Sequence, residues 1–186
     1  VGDVNWTESS SLPATNARRI AGRPVALLWL PGAGTRCTGF LIAPDILMTN
    51  EHCVGNAADA RDAFAVFGAE AGVTESLRDT VDCGTFLGAD ATLDFALLRC
   101  DTRPGDRHGV VTLSEAAPAR GDSIYVVHQN CDYFTNANCE PNKKVSVGSI
   151  VGTSTSEYSY DADTLGGSSG SALFNALNQV IGLHHV

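Results

Sequence analysis

The sequence predicts an all-β protein, a sandwich or a barrel, and three observations lead to this prediction. Short apolar runs, mostly of four to seven residues, recur along the chain and are rich in Val, Ile, Leu and Phe. Glycine occurs 19 times, as a chain with many tight turns requires. A helical period over three turns is absent, apart from a weak one over 56–65.

Each predicted strand is an apolar run bounded by turn signals. Pro-Gly, Gly-Asp and Asn-rich breaks separate the runs. The polar stretch Asn130–Lys144 holds two cysteines and predicts a surface loop that these cysteines constrain. In chain order the predicted strands are Val25–Leu30, Thr38–Ala43, Ile46–Thr49, Phe64–Phe67, Asp94–Leu98, Val110–Leu113, Ile124–His128, Val145–Val151, Ser171–Phe174 and Gln179–His184.

Composition bounds the class of protein. The chain has 186 residues, 44% of them apolar and 18% charged, which is enough apolar material for a sizeable core and too little charge for disorder. The formal charge of −9 argues against nucleic-acid binding and against a basic helix at a membrane surface. The longest clean apolar run, Val25–Leu30, is far too short to span a membrane.

The cysteines indicate the compartment. Their even number permits three disulfides, and no Cys-x-x-Cys pair points to a metal or redox site. Buried free thiols in a cytosolic protein are the alternative. Disulfides in an oxidising compartment, extracellular or periplasmic, are the favoured interpretation. The six cysteines are Cys37, Cys53, Cys83, Cys100, Cys131 and Cys139.

Three segments carry candidate catalytic residues. His52 lies in the segment Thr49–Cys53 at the end of an apolar run, Asp94 begins another run, and Ser169 lies among glycines. Each has an ordinary explanation alone: a histidine beside a disulfide, a turn carboxylate and a Gly-Ser turn. Together they supply a nucleophile, its base and a carboxylate that orients the base, while glycines let backbone N–H groups converge on an oxyanion.

Chain order distinguishes the folds that host this triad. No Asp or Glu follows Ser169, so the order of α/β-hydrolases is impossible. The subtilisin order could use Asp45, but that fold needs alternating strands and helices. The order His52, Asp94, Ser169 is that of chymotrypsin.

The three segments resemble the His, Asp and Ser motifs of the chymotrypsin-fold serine peptidases. "TNEHC" stands where many relatives have "TAAHC", and "GSSGSALFN" followed by "VIGLHHV" resembles the bacterial branch that contains the glutamyl endopeptidases. The resemblance implies two packed antiparallel β-barrels in one peptidase domain, residues 1–186, with lobes at 1–105 and 106–186. It also implies a Cys37–Cys53 disulfide. Because relatives continue beyond the position of Val186, we expect the second barrel to be incomplete in this chain.

The resemblance assigns roles residue by residue. Ser169 is the nucleophile, His52 its base, and Asp94 the group that holds the base in the correct tautomer. The N–H groups of Gly167 and Ser169 form the oxyanion hole. Ser168 stands where animal digestive enzymes carry an Asp that pairs with the freed N-terminus, so activation through that ion pair is not expected. The activity implied is that of a secreted endopeptidase, a monomer without cofactor or metal, acting on polypeptides through an acyl-enzyme.

Two features give opposite expectations for specificity. Asp163 lies where trypsin-like enzymes bind Lys or Arg. Thr164 and His184 match the glutamyl endopeptidases, and a free Val1 amine would add positive charge. We expect cleavage after Glu or Asp, although the net charge of −9 does not steer acidic substrates to the site. Cleavage after Lys or Arg is the alternative.

The remaining histidines and a rival function complete the expectations. A metal site at His184-His185 is not expected, because adjacent strand residues point to opposite faces. His128 is expected to be a solvated strand end, and His108 a surface turn. The rival function is a catalytically silent relative that binds a protein partner.

Overall fold

Two seven-stranded sheets, almost entirely antiparallel, build the structure, a computed structural model that describes residues 5–131 and 139–185. The predicted all-β class is confirmed. The strands are β1 (Trp6–Glu8), β2 (Val25–Leu30), β3 (Thr35–Ala43), β4 (Ile46–Thr49), β5 (Phe64–Phe67), β6 (Asp79–Asp82), β7 (Thr85–Asp90), β8 (Phe95–Arg99), β9 (Thr112–Leu113), β10 (Ser123–His128), β11 (Lys144–Thr153), β12 (Tyr158–Tyr160), β13 (Ala172–Asn175) and β14 (Gln179–Leu183).

Helices are short and lie in the connections. Asn56 caps α2, its side chain accepting the N–H groups of Ala58 and Asp59, but this helix covers only part of the weak period seen over 56–65. The α-helices are α1 (Ala17–Ala21), α2 (Ala57–Ala60) and α3 (Gly105–His108), and 3₁₀ turns occur at Ser9–Ser11, Pro31–Ala33 and Glu75–Leu77. Within the described residues, no helix has the length and apolar composition needed to cross a membrane.

The first sheet has the order β6-β5-β2-β3-β4-β8-β7. In β5 and β8 buried and half-buried side chains alternate, as strands with one face toward a core require. Leu28, Leu41, Phe67 and Leu98 are fully buried in that core. Each contributes roughly 1.5–3 kcal/mol through the apolar surface it removes from water.

The second sheet has the order β1-β11-β10-β13-β14-β9, with β12 paired to β11 and a short parallel pair between β14 and β9. Its core holds Val127, Val145 and Phe174, and Tyr125 stacks on the Phe174 ring with centroids 4.9 Å apart. The strands before residue 105 lie in the first sheet, except β1, which pairs with β11. The division into lobes 1–105 and 106–186 stays a prediction.

Three disulfides use all six cysteines: Cys37–Cys53, Cys83–Cys100 and Cys131–Cys139. The first is the pair that the sequence resemblance implies. Part of the predicted loop 130–144 lies outside the described residues, as do Val1 and Val186. The expectation that this loop lies at the surface is wrong for its ends, because Asn130 and Lys143 are buried.

Candidate active site

His52 and Asp94 form a doubly hydrogen-bonded pair. His52 lies three residues beyond the end of β4, and Asp94 immediately precedes β8, which is paired with β4 through Thr49 and Ala96. The His52 Nδ1 atom lies 2.8 Å from Asp94 Oδ2, and its backbone N–H donates to Asp94 Oδ1 at 3.0 Å. The imidazole is 47% exposed and the carboxylate 19%, so one side of the ring faces solvent.

The backbone at Asp94 is left-handed, with φ of 49°. This conformation is unfavourable for most residues and persists only where neighbouring groups hold it. The fully buried Asn50 supplies such a contact, because its Nδ2 donates to the Asp94 carbonyl at 2.8 Å. Asn50 was not singled out from the sequence; its place two residues before His52 was the available signal.

The loop around Ser169 presents two backbone N–H groups. Cys131 N–H binds the Gly166 carbonyl at 2.9 Å, and the Ser171 N–H binds the Ser168 carbonyl at 3.0 Å. In a trans peptide the N–H points away from the preceding carbonyl, so the amides of Gly167 and Ser169 point away from these anchors. Neither amide donates to an acceptor within residues 5–131 and 139–185. Two such donors are what an oxyanion hole requires.

Thr38 of β3 joins this loop to the sheet that carries His52. Its N–H donates to the Ser169 carbonyl at 2.7 Å, and its hydroxyl donates to the Gly167 carbonyl at 2.8 Å. Cys37, the residue before it, is bonded to Cys53, the residue after His52. A backbone hydrogen bond ties the Ser169 loop to Thr38 of β3, and a disulfide ties the residue after His52 to Cys37 of the same strand. The sequence did not reveal this role of Thr38.

Gly170 permits this close approach. Its φ is +85°, and a Cβ atom there would collide with the Thr38 carbonyl and the Thr49 hydroxyl. The glycine is thus required both by the backbone conformation and by the close contact with β3 and β4.

A cavity of about 530 Å³ opens beside the His52–Asp94 pair. It runs from Leu93 and Asp94 past Tyr158 and Tyr160 to His184. Tyr158, Tyr160 and Leu93 supply apolar parts of its wall, and Asp94, Glu157 and His184 are among its polar lining residues. A concave surface that combines apolar walls with polar groups can bind a substrate side chain.

The candidate specificity residues have different surroundings. Asp163 Oδ2 accepts the backbone N–H of Asn5 at 2.7 Å, so its carboxylate is directed at the N-terminal segment. Thr164 is partly buried. His184 is 7% exposed and its Nδ1 is hydrogen-bonded to the Tyr160 hydroxyl at the cavity wall. Burial raises the pKa of Tyr160, which keeps this hydroxyl neutral.

Two of the other histidines are not where the sequence placed them. His128 is fully buried rather than solvated. His108 is half-buried, its ring stacks on that of Phe67, and its Nε2 atom lies 2.6 Å from Asp79 Oδ2. Both expectations failed because a polar residue at a strand end or turn was assumed to face water. Burial lowers the pKa of His108, and the Asp79 carboxylate opposes that shift.

His185 reaches toward the site, whereas His184 points into the cavity wall. The Nδ1 atom of His185 lies 3.9 Å from Asp94 Oδ2, and its Nε2 atom lies 3.9 Å from Glu157 Oε1. The two adjacent histidines therefore have different partners, as expected for neighbours on an extended chain. Across the part of the chain that the structure describes, no three His, Cys, Asp or Glu side chains group as a metal site would require.

The fold is that of the chymotrypsin-like peptidases. Residues 37–183 match the family described as "Trypsin-like peptidase domain", which covers most of the chain, and the chain belongs to that family. The resemblance found in the sequence is confirmed.

Individual relatives extend the comparison. "Secreted RxLR effector protein 73" of Plasmopara viticola is 30% identical over 92% of this chain and 46% of its own length. A glutamyl endopeptidase of Staphylococcus epidermidis is 26% identical over 87% of this chain and 58% of its own length. The chain thus spans about half the length of these curated relatives.

Solved structures show the same fold. A Glu endopeptidase in complex with MPD superposes with a TM-score of 0.79 at 24% identity, covering 100% of this chain and 86% of that one. The active form of the Rv3671c protease from M. tuberculosis gives a TM-score of 0.69 at 20% identity, covering 91% and 73%. At these identities the similarity shows the fold alone.

Proposed function

We propose that the protein is a serine endopeptidase that hydrolyses peptide bonds through an acyl-enzyme on Ser169. The observation that carries the proposal is the contact of His52 with both carboxylate oxygens of Asp94, in the sheet to which Thr38 anchors the Ser169 loop. A base held by an orienting carboxylate is what a serine nucleophile requires, and the anchored loop supports Ser169 as that nucleophile.

The mechanism follows from these contacts. His52 Nε2 accepts the proton of the Ser169 hydroxyl as its oxygen attacks the scissile carbonyl. Asp94 keeps the imidazole proton on Nδ1, which leaves Nε2 free to act as the base. The amides of Gly167 and Ser169 bind the oxyanion of the tetrahedral intermediate. His52 then protonates the leaving amine. In the second half of the reaction, His52 accepts a proton from a water molecule as its oxygen attacks the acyl-enzyme, and the proton returns to Ser169.

Cleavage after Glu or Asp is the preference we propose. The His184–Tyr160 pair places two hydrogen-bonding groups in the wall of the cavity beside Asp94, where a substrate carboxylate can be bound. Asp163 is engaged with the Asn5 N–H, which weakens the case for it as a receptor for Lys or Arg. The similarity to a Staphylococcus epidermidis protein named glutamyl endopeptidase points the same way.

We propose that the protein works outside the cytosol as a monomer on polypeptide substrates. The family supports polypeptide substrates. Three disulfides and a relative named as a secreted effector point to an extracellular or secreted protein.

Mapping of cleavage sites tests this function. Denatured casein is digested with the wild-type protein and with Ser169→Ala, and the new termini are identified by mass spectrometry. The proposal predicts cuts after Glu and Asp that are absent from the Ser169→Ala digest. Cuts after Lys and Arg would support the alternative specificity, and equal digestion by both proteins would contradict Ser169 as the nucleophile.

A second candidate is a catalytically silent relative that binds a protein partner. The observation in its favour is the match to a secreted effector over 92% of the chain. The intact contact between His52 and Asp94 argues against it, since a binding protein has no need of a polarised imidazole. No cleavage by a well-folded protein would favour this candidate.

A further inference from the structure

A pair of Ser–His contacts lies behind the Ser169 loop, within the core. His128, at the end of β10, is fully buried, and its Nε2 lies 2.8 Å from the Ser146 hydroxyl on β11. Its Nδ1 lies 3.1 Å from the hydroxyl of Ser168, the residue before the candidate nucleophile. These three side chains form a buried hydrogen-bonded chain, Ser146–His128–Ser168.

The hydrogen-bonded series Ser146–His128–Ser168 is not a catalytic site. Ser146 and Ser168 are both fully buried, so neither hydroxyl can reach a substrate. His128 is fully buried as well, and its two ring nitrogens face these two hydroxyls, so neither nitrogen faces a substrate. The arrangement can hold the loop but cannot attack a peptide bond.

We propose that His128 is a positioning residue, which fixes the oxyanion loop by holding the side chain of Ser168. The inference rests on the proposed function of Ser169. Ser168 is where the loop can be held from inside: its hydroxyl also accepts the Leu165 N–H, and its carbonyl accepts the Ser171 N–H. A fixed Ser168 peptide fixes the direction of the Ser169 amide, which is one half of the oxyanion hole.

The surroundings keep the His128 ring neutral. Burial lowers the pKa of His128 to about 3, and the nearby charges of Lys144 and His184 act in the same direction. The Trp6 ring of β1 packs edge-on against the imidazole, with centroids 6.0 Å apart. The contact between His128 and Ser168 is therefore between neutral groups. Animal digestive enzymes, in contrast, carry a charged Asp at the position of Ser168.

Four variants separate positioning from simple structural support. Ser168→Ala removes the hydroxyl, and His128→Leu removes the ring nitrogens at similar volume. His128→Asn keeps a hydrogen-bonding atom near the place of Nδ1. Tyr125→Phe is the matched control, because it deletes one buried hydroxyl contact, to Asn178, on the same strand. For each variant kcat is measured per active site titrated with a fluorophosphonate, together with KM and amide exchange over 165–171.

The proposal predicts that Ser168→Ala and His128→Leu lower kcat per titrated site by about 10–100-fold, with KM changed less than about threefold, because the oxyanion donors are misplaced. Amide exchange over 165–171 becomes about tenfold faster in both, while His128→Asn and Tyr125→Phe stay within about threefold of wild type. Normalisation to titrated sites excludes loss of folded protein as the cause.

Unchanged kcat and unchanged loop exchange in Ser168→Ala and His128→Leu would overturn the inference. If the wild-type protein fails to react with the fluorophosphonate, the proposed peptidase function fails. Loop exchange then decides the positioning role by itself, since it needs no activity: faster exchange supports the role and unchanged exchange refutes it.

Discussion

The two oxygens of the Asp94 carboxylate bind His52 at two separate points, its backbone N–H and its imidazole Nδ1. The first contact fixes the position of the residue, and the second fixes the tautomer and the rotation of the ring. Asp94 itself sits in a left-handed conformation that the Asn50 side chain holds. The orientation of the base therefore depends on a backbone geometry that is prepared before substrate arrives.

Asp94→Asn tests this division of roles. The amide retains one oxygen acceptor, so we expect the fold to be kept while the wrong imidazole tautomer is favoured. By analogy with the corresponding change in this type of triad, kcat should fall by about 10³–10⁴-fold. Steady-state kinetics measure the loss and circular dichroism checks the fold. A fall of less than about tenfold would show that Asp94 does not orient the base.

Gly170→Ala tests the contact between the nucleophile loop and β3. A methyl group at this position meets the Thr38 carbonyl and requires φ of +85°, so we expect destabilisation by about 3 kcal/mol or more. Gly152→Ala is the control, because its nearest neighbour, Ser159, lies 3.7 Å away. Denaturant unfolding measures both variants. Equal stability of the two would mean that the close approach to Thr38 does not exist in solution.

The stability of the protein should depend on pH through His128. Its folded pKa of about 3 lies below the ordinary imidazole value of 6.5, so between pH 6.5 and 3 the unfolded chain binds the extra proton. Stability from this group is present above pH 6.5 and declines on acidification, by up to about 1.4 kcal/mol per pH unit.

His128→Asn cannot titrate and provides the comparison for that pH effect. Urea unfolding at pH 6, 5 and 4 should show a steeper decline for the wild type than for the variant. Parallel declines would place the responsible proton elsewhere and would contradict a buried neutral ring at His128.

Asp163→Asn distinguishes the two specificities. The variant keeps an acceptor for the Asn5 N–H but removes the charge, so cleavage after Glu should change by less than about threefold if this carboxylate lies outside the substrate pocket. His184→Leu removes the partner of Tyr160 and should lower kcat/KM for Glu substrates by more than about tenfold. Fluorogenic peptides that differ only in Glu or Lys before the cleaved bond provide the measurement. Loss of Lys cleavage in Asp163→Asn would instead establish a trypsin-like pocket.

The strands that face a core on one or both sides could be predicted from the sequence. β2, β4 and β5 match their apolar runs at both ends, because buried faces demand continuous or alternating apolar residues. β6 and β7 were missed: DTVD is mostly polar, the apolar residues of TFLGAD are interrupted by Gly88, and the two strands form the edges of the sheet. Pairing with a neighbour, which no local pattern reveals, makes them strands.

Some residues of the candidate site could likewise be predicted from the sequence and others could not. His52, Asp94 and Ser169 could be found because an imidazole, a carboxylate and a glycine-bounded serine in this chain order point to one chemistry. Thr38, Asn50 and His128 act through hydrogen bonds to residues 40–129 positions distant in the sequence, and only the folded backbone brings these partners together. Support for a site is harder to predict than its reactive groups.

Labelling with a fluorophosphonate followed by peptide mapping tests the central claim most directly. The probe reacts only with a serine that has a working base and an oxyanion site. The account predicts one adduct, on Ser169, in the wild-type protein and none in His52→Ala. No adduct on the well-folded wild-type protein, or an adduct that persists in His52→Ala, would contradict it.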